Sequence, residues 1–106
     1  MTLVLKMRRG PVKVLRPDRL VAVVPGVIHE LGLAYFAERG KFAGSYSVLH
    51  LATSTRVVRC VNATHCRRAI EELLKLDVDW TTVDGFMVKH EEAKAIAGKY
   101  YMRRLE

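Results

Sequence analysis

The sequence has little of what stabilises secreted or membrane proteins. Only two of its 106 residues are cysteine, Cys60 and Cys66, too few for a disulfide framework. The longest unbroken apolar run is Leu20 to Val24, whereas a membrane-spanning helix needs about 20 apolar residues. The opening residues, MTLVLKMRRG, place the apolar stretch before the basic one, the reverse of a secretory signal. We therefore expect free thiols, no membrane partner and a cytoplasmic location.

Side-chain amides are also scarce. Glutamine is absent, asparagine occurs once at Asn62, and arginine outnumbers lysine by 11 to 7. Loss of thermolabile amides is a habit of thermophilic proteins, and it is equally a consequence of a GC-rich genome.

Common catalytic motifs are missing as well. There is no G-x-x-x-x-G-K-[ST], G-x-G-x-x-G or G-x-S-x-G, so nucleotide-binding and serine-hydrolase activities have no support. Zinc-type ligands occur at His50, Cys60, His65 and Cys66, but without the closely spaced cysteine pair of a zinc finger. The neighbours His65 and Cys66 point about 100° apart on a helix, which does not suit a nucleophile and its base. We expect no catalytic residue, no metal and no cofactor.

Three carboxylates offer the enzymatic alternative. Asp77, Asp79 and Asp84 would together hold Mg²⁺, and basic arms for the substrate would make the protein a small nuclease. A solvated loop at a helix end is the commoner explanation for such acids.

The composition is that of a globular protein, with 50% hydrophobic and 27% charged residues, and the length fits one domain over residues 1–106. The clearest β pattern alternates from Ser45 to Leu51 and returns over Arg56 to Val61, which predicts a hairpin. Asn62 or Thr64 then caps a helix that ends near Leu76. The apolar face of that helix is Cys66, Ala69, Ile70, Leu73 and Leu74.

The C-terminal part is predicted to contain a short strand at Phe86 to Val88 and a helix from about Lys89 to Arg104. Glu91 and Glu92 at its start and Arg103 and Arg104 at its end suit the helix dipole. We expect Trp80 to close the edge of the core.

Chain-breaking residues divide the N-terminal half. Arg8-Arg9-Gly10-Pro11 predicts the turn of a hairpin between strands at 2–7 and 12–15. Pro25-Gly26 predicts another turn, after a buried strand at Leu20 to Val24. Residues 27–38 fit both a helical face and strand alternation, and we favour the strand, followed by a loop from Glu38 to Gly44. The sum is an α+β fold, an antiparallel sheet of four to five strands with two helices packed on one face.

The net charge of +7 is unevenly distributed. Residues 1–19 and 56–68 are strongly basic, whereas residues 71–92 are acidic. Basic segments that share one face bind anions, although an ordinary arginine-rich surface gives the same pattern. The candidate nucleic-acid contacts are Arg8, Arg9, Lys13, Arg16, Arg56, Arg59, Arg67 and Arg68.

Part of the chain resembles small uncharacterised proteins of tailed phages and other mobile elements. The shared features lie within residues 45–80: Leu49-His50 and Thr53, a second strand, a helix with Ala69 and Leu73-Leu74, and the exit Asp79-Trp80. Those proteins usually place glycine after the threonine, where this chain has Ser54. The resemblance implies an accessory protein that binds nucleic acid or host machinery, and it transfers no catalytic residue.

We therefore expect a non-enzymatic module that binds nucleic acid through a basic surface, with low sequence specificity because no base-reading motif is present. The alternative is a phage-type inhibitor or adaptor, or a virion structural protein, that binds an acidic host protein surface. An exposed apolar patch around Phe36, Phe42 or Tyr46 would favour that alternative. Edge strands of the sheet would also allow a homo-oligomer.

Overall fold

The computed structural model describes residues 7–15 and 20–101. Its elements are β1 (Met7–Leu15), β2 (Val21–His29), β3 (Leu33–Ala37), a 3-10 turn (Gly40–Phe42), β4 (Tyr46–His50), β5 (Thr55–Cys60), α1 (Ala63–Leu74), α2 (Gly85–Val88) and α3 (His90–Tyr100). The five strands form one antiparallel sheet in chain order. The predicted α+β class is confirmed, and β3 is the strand that was favoured within residues 27–38.

The long helices α1 and α3 pack against one face of the sheet and form the larger core with β3, β4 and β5. Asn62 is the cap of α1, because its side chain accepts a hydrogen bond from the His65 N–H at 2.8 Å. Trp80 is 2% exposed and closes the core as predicted, with its indole N–H donating to the Leu73 carbonyl at 3.1 Å. Glu72 joins the two helices by accepting from the Tyr100 hydroxyl and from Lys99.

The predicted strand at Phe86 to Val88 is wrong. These residues belong to the short helix α2, where the Met87 N–H donates to the Asp84 carbonyl. A strand there would need a free sheet edge, and α3 packs against the edge strand β5.

Both predicted turns in the N-terminal half are also wrong. Strands β1 and β2 each continue through their glycine–proline pair, and Gly10 lies opposite Gly26 while Pro11 lies opposite Pro25. The two glycines therefore pair with each other, and the two prolines pair at the adjacent position, inside one long hairpin. Its partner strand β3 pairs with β2 from Gly26 to Ile28, so the part of β2 before Gly26 extends past β3. Residues 2–6 of the predicted first strand lie outside the described residues.

The projecting half of the hairpin folds over the sheet face that the helices leave open. In a flat sheet β1 and β5 would lie four strand spacings apart, about 19 Å. Instead the Arg56 Nη1 on β5 donates to the Leu15 carbonyl on β1 at 3.3 Å. Beneath this fold lies a second, smaller core of Val12, Val14, Ala34, Phe36 and Leu49. Gly26 permits the close approach, because a Cβ there would lie 2.6 Å from the Val12 Cγ2.

A buried histidine links the β4–β5 turn to the segment after α1. The His50 Nε2 lies 2.8 Å from the Trp80 carbonyl oxygen, so it carries the proton and donates. The His50 Nδ1 then accepts from the Thr53 hydroxyl at 2.8 Å. Ser54 follows with a φ of +56°, a conformation that suits glycine. His50, Thr53 and Trp80 thus form one packing unit.

Candidate nucleic-acid interface

The described basic residues lie on two sides of the sheet. Side chains alternate along β1, so Arg8 shares the side of the smaller core while Arg9 and Lys13 share the side of the helices. All three are exposed, and so are Arg67 and Arg68 near the N-terminal end of α1. Arg16 lies outside the described residues. Since β1 is an edge strand, cations from both sides meet along this border.

A β-bulge brings Arg56 and Arg59 to the same side. Leu49 lies opposite Arg56 and Val48 lies opposite Val58, so β5 has one extra residue at this point. Plain alternation would separate two arginines three residues apart. With the bulge, both are placed on the face that the helices leave open.

Glu38 lies at the centre of this arginine pair. Glu38 is buried, with 8% of its surface exposed. One carboxylate oxygen accepts from the Ser47 hydroxyl and from Arg56 Nε, both at 2.8 Å, and the other accepts from Arg56 Nη2 at 3.1 Å. The Arg59 Nε lies farther from the carboxylate, at 3.6 Å.

These contacts set the ionisation of Glu38. Burial alone would raise the pKa of the carboxyl group, because it penalises the charged form. The hydrogen bonds from Arg56 and Ser47 and the charges of Arg56 and Arg59 outweigh burial, and the net pKa lies below its usual value. Glu38 is therefore a carboxylate at neutral pH, and it holds Arg56 in a bidentate ion pair.

Two phenylalanine rings make cation–π contacts with basic side chains of this group. The Arg59 Cζ lies 3.4 Å from the centroid of the Phe42 ring, a stacked cation–π contact. The Arg56 Cζ lies 5.5 Å from the Phe36 centroid, and the Lys41 Nζ lies 5.7 Å from the Phe42 centroid.

These groups line a cavity of about 600 Å³ between the hairpin and the 3-10 turn, which we call the basic cavity. Its charged lining is Glu38, Arg39, Lys41, Arg56 and Arg59, so four cations face one carboxylate. Its apolar lining includes Val14, Ala22, Val24 and Phe36. Such a lining suits an anion that also carries an apolar part.

Arg56 and Arg59, which the sequence analysis singled out, line the basic cavity, and Glu38, Arg39 and Lys41, which it did not single out, line it as well. Arg39 and Lys41 lie outside the two basic segments, within the loop predicted from Glu38 to Gly44. The alternation Arg-Gly-Lys-Phe beside a lone glutamate was the available signal, but only the fold of the hairpin brings it to β5.

Phe36, Phe42 and Tyr46 do not form the exposed apolar patch that would favour the protein-binding alternative. Phe36 is 3% exposed, and Phe42 and Tyr46 are half-buried. The exposed apolar side chains of the hairpin are Leu15, Leu20, Val21 and Val23.

The histidines and cysteines with zinc-ligand chemistry do not form a metal site in the part of the chain that the structure describes. Among the residues that the structure describes, no three His, Cys, Asp or Glu side chains come together to hold a metal ion. Cys60 and Cys66 are buried free thiols, and their mutual hydrogen bond together with burial raises the pKa of Cys66. Asp77, Asp79 and Asp84 are exposed, and Thr81 hydrogen bonds lower the pKa of Asp79.

Within the described ranges, no helix has the length and apolar character needed to cross a membrane. Comparison of the chain with family models, curated proteins and solved structures gave no match.

Proposed function

We propose that the protein is a non-enzymatic module that binds the phosphate backbone of nucleic acid with low sequence specificity. The observation that supports this most directly is the basic cavity, where four cations face a single carboxylate already paired with Arg56. The excess positive charge is thus open to an external anion. Phosphodiester anions recur along a nucleic-acid chain, so the affinity rises with the number of cations that contact them at once.

The edge strand extends the proposed contact surface. A polyanion that leaves the basic cavity and crosses β1 meets Arg8 on one side and Arg9 and Lys13 on the other. Binding would release condensed counterions, and the affinity would fall steeply with salt. With four phosphate contacts to a single strand, a fourfold rise in salt weakens binding by about 50-fold.

Fluorescence anisotropy with single-stranded DNA, single-stranded RNA and duplex DNA of equal length, each at two salt concentrations, tests this function. We expect salt-sensitive binding, and we expect the Arg39→Ala/Lys41→Ala double variant to reduce the salt slope by about 1.4 for a single strand. Lys94→Ala, an exposed lysine of α3, is the control for a simple loss of charge. Absence of binding to all three nucleic acids at low salt would contradict the proposal.

A second candidate is an adaptor or inhibitor that docks on an acidic protein surface. It is favoured by the exposed Leu15, Val21 and Val23, which surround Lys13 on the outer side of the hairpin. A Val21→Ser/Val23→Ser variant that binds nucleic acid normally but loses a cellular protein partner would support it. Either function belongs in the cytoplasm, that of a host cell if the protein is phage-encoded.

A further inference from the structure

The two arginines of the basic cavity differ in how many of their donors are used. Arg56 donates from Nε and Nη2 to Glu38 and from Nη1 to the Leu15 carbonyl. Arg56 therefore fastens β5 to the hairpin. The Arg59 Nε is buried without a hydrogen-bond partner, since its distance of 3.6 Å to Glu38 is too long for one.

Arg59 is also held in place before any ligand arrives. Its guanidinium lies flat against Phe42, and its side chain is 21% exposed. A side chain fixed in this way loses little conformational freedom on binding. Arg39 and Lys41 line the same cavity, are exposed, and form no ion pair with a described residue. Three cations besides Arg56 thus line one cavity, and one of them, Arg59, is held against an aromatic ring.

The opposite wall of the cavity is apolar. Val14, Ala22 and Val24 of the hairpin form this wall, and Phe36 of β3 lines the cavity beside Arg56. The volume of about 600 Å³ is far larger than a phosphate group needs and lies within the range of small-molecule sites, roughly 300–1,000 Å³. The cavity thus has room for an anionic group and for a flat apolar group beside it.

We propose that the basic cavity binds one nucleoside monophosphate unit, with the phosphate on Arg59, Arg39 and Lys41 and the base against the wall of Val14, Ala22 and Val24. This inference rests on the proposed nucleic-acid function and assigns one step of it. The unit is either a free nucleotide or a nucleotide of a bound strand, because both present the same phosphate and base.

Isothermal titration of the full chain with adenosine 5′-monophosphate, inorganic phosphate and adenosine tests the site. We expect the nucleotide to bind more tightly than either part. Arg59→Gln should weaken nucleotide binding by about 10-fold or more, as loss of a charge-assisted hydrogen bond does. Lys41→Gln should weaken it by a smaller factor, and Lys94→Gln on α3 should leave it unchanged.

A cavity-filling variant separates the two halves of the proposed site. Ala22→Phe adds bulk to the apolar wall without a change of charge, so nucleotide binding should fall while binding of inorganic phosphate stays the same. Circular dichroism and thermal melting confirm that each variant folds. Equal affinity for phosphate and nucleotide, or an unaltered nucleotide affinity in Arg59→Gln, would overturn the inference.

The polynucleotide assay distinguishes the sources of the nucleotide and the two levels of the argument. Competition between adenosine 5′-monophosphate and a labelled strand supports occupation by a nucleotide of the strand, and nucleotide binding without competition supports the free form. If strands bind and the nucleotide does not, the basic cavity proposal fails while the nucleic-acid function stands. If neither binds, both fail.

Discussion

Among single residues, Glu38 determines the electrostatic state of the open sheet face. Its side chain is 6% exposed, and that of its partner Arg56 is 34% exposed. The carboxylate neutralises one of the two guanidinium charges beside it, and both guanidinium groups are partly removed from water. Removing one member of such a group leaves the others desolvated and unpaired, which costs more than the pair contributes when intact.

The substitution Glu38→Gln should lower the free energy of unfolding by about 2 kcal/mol at neutral pH. The folded-state pKa of Glu38 lies below the ordinary value of 4.5, so its stabilising effect is full above that value and declines as the pH falls further. Urea denaturation between neutral pH and about pH 3 should therefore show the wild type and Glu38→Gln converging in acid.

Glu71→Gln is the matched control, because Glu71 is a half-buried carboxylate of α1 in no described ion pair. It should run parallel to the wild type across the range. A Glu38→Gln curve that also stays parallel would show that the carboxylate adds no pH-dependent stability.

At the scale of elements, the β2–β3 turn depends on a glycine. Gly32 has a φ of +103°, and a Cβ there would lie 2.5 Å from the Trp80 carbonyl oxygen. Trp80 accepts the His50 hydrogen bond at the same carbonyl. The turn, the buried histidine and the segment after α1 are therefore packed too closely for a side chain at position 32.

Two glycine-to-alanine substitutions should have opposite effects. Gly32→Ala should destabilise the protein by about 2–4 kcal/mol, because it adds backbone strain and a steric clash. Gly98→Ala in α3 should stabilise it by up to about 1 kcal/mol, since its Cβ meets nothing within 4 Å and alanine is the better helix former. Chemical denaturation of both variants checks this, and a neutral Gly32→Ala would show that the turn adapts.

The sequence predicted the elements whose signals are local and failed where partners decide. Alternation over residues 45–61 predicted β4 and β5, and Asn62 with its apolar helical face predicted α1. The glycine and proline residues at 10–11 and 25–26 predicted turns, and both predictions were wrong. The local sequence does not show that the two pairs lie opposite each other in neighbouring strands. The bulge in β5, which aligns Arg56 with Arg59, likewise depends on the register with β4.

At the scale of the whole molecule, two cores of unequal size support different parts of the chain. The larger core joins α1 and α3 to β3, β4 and β5. The smaller core secures the projecting half of the hairpin through Val12 and Val14. The hairpin roofs the basic cavity, so the wall opposite the cations belongs to the less extensively packed part of the molecule.

Hydrogen exchange should detect this division. Val12 is fully buried, and Val12→Ala should remove about 2 kcal/mol from the smaller core. We expect faster exchange in β1 and the first half of β2, with α1 unaffected. Val58→Ala, in the larger core, should instead accelerate exchange throughout the described structure. Equal acceleration of β1 and α1 by Val12→Ala would show that the chain opens as one unit.

The bulge in β5 distributes the side chains of the segment Arg56-Val57-Val58-Arg59 between the two faces of the sheet in a way that plain alternation cannot produce. Its two central valines pack with the larger core, and its two outer arginines surround Glu38 on the opposite face. Deleting either valine would remove the extra residue and leave Arg-Val-Arg, in which plain alternation already places both arginines on one face, but with one valine in the core in place of two. Two arginines three residues apart therefore share a face only because of the bulge. The one extra residue determines both which valines pack in the core and which charges lie on the other side of the sheet.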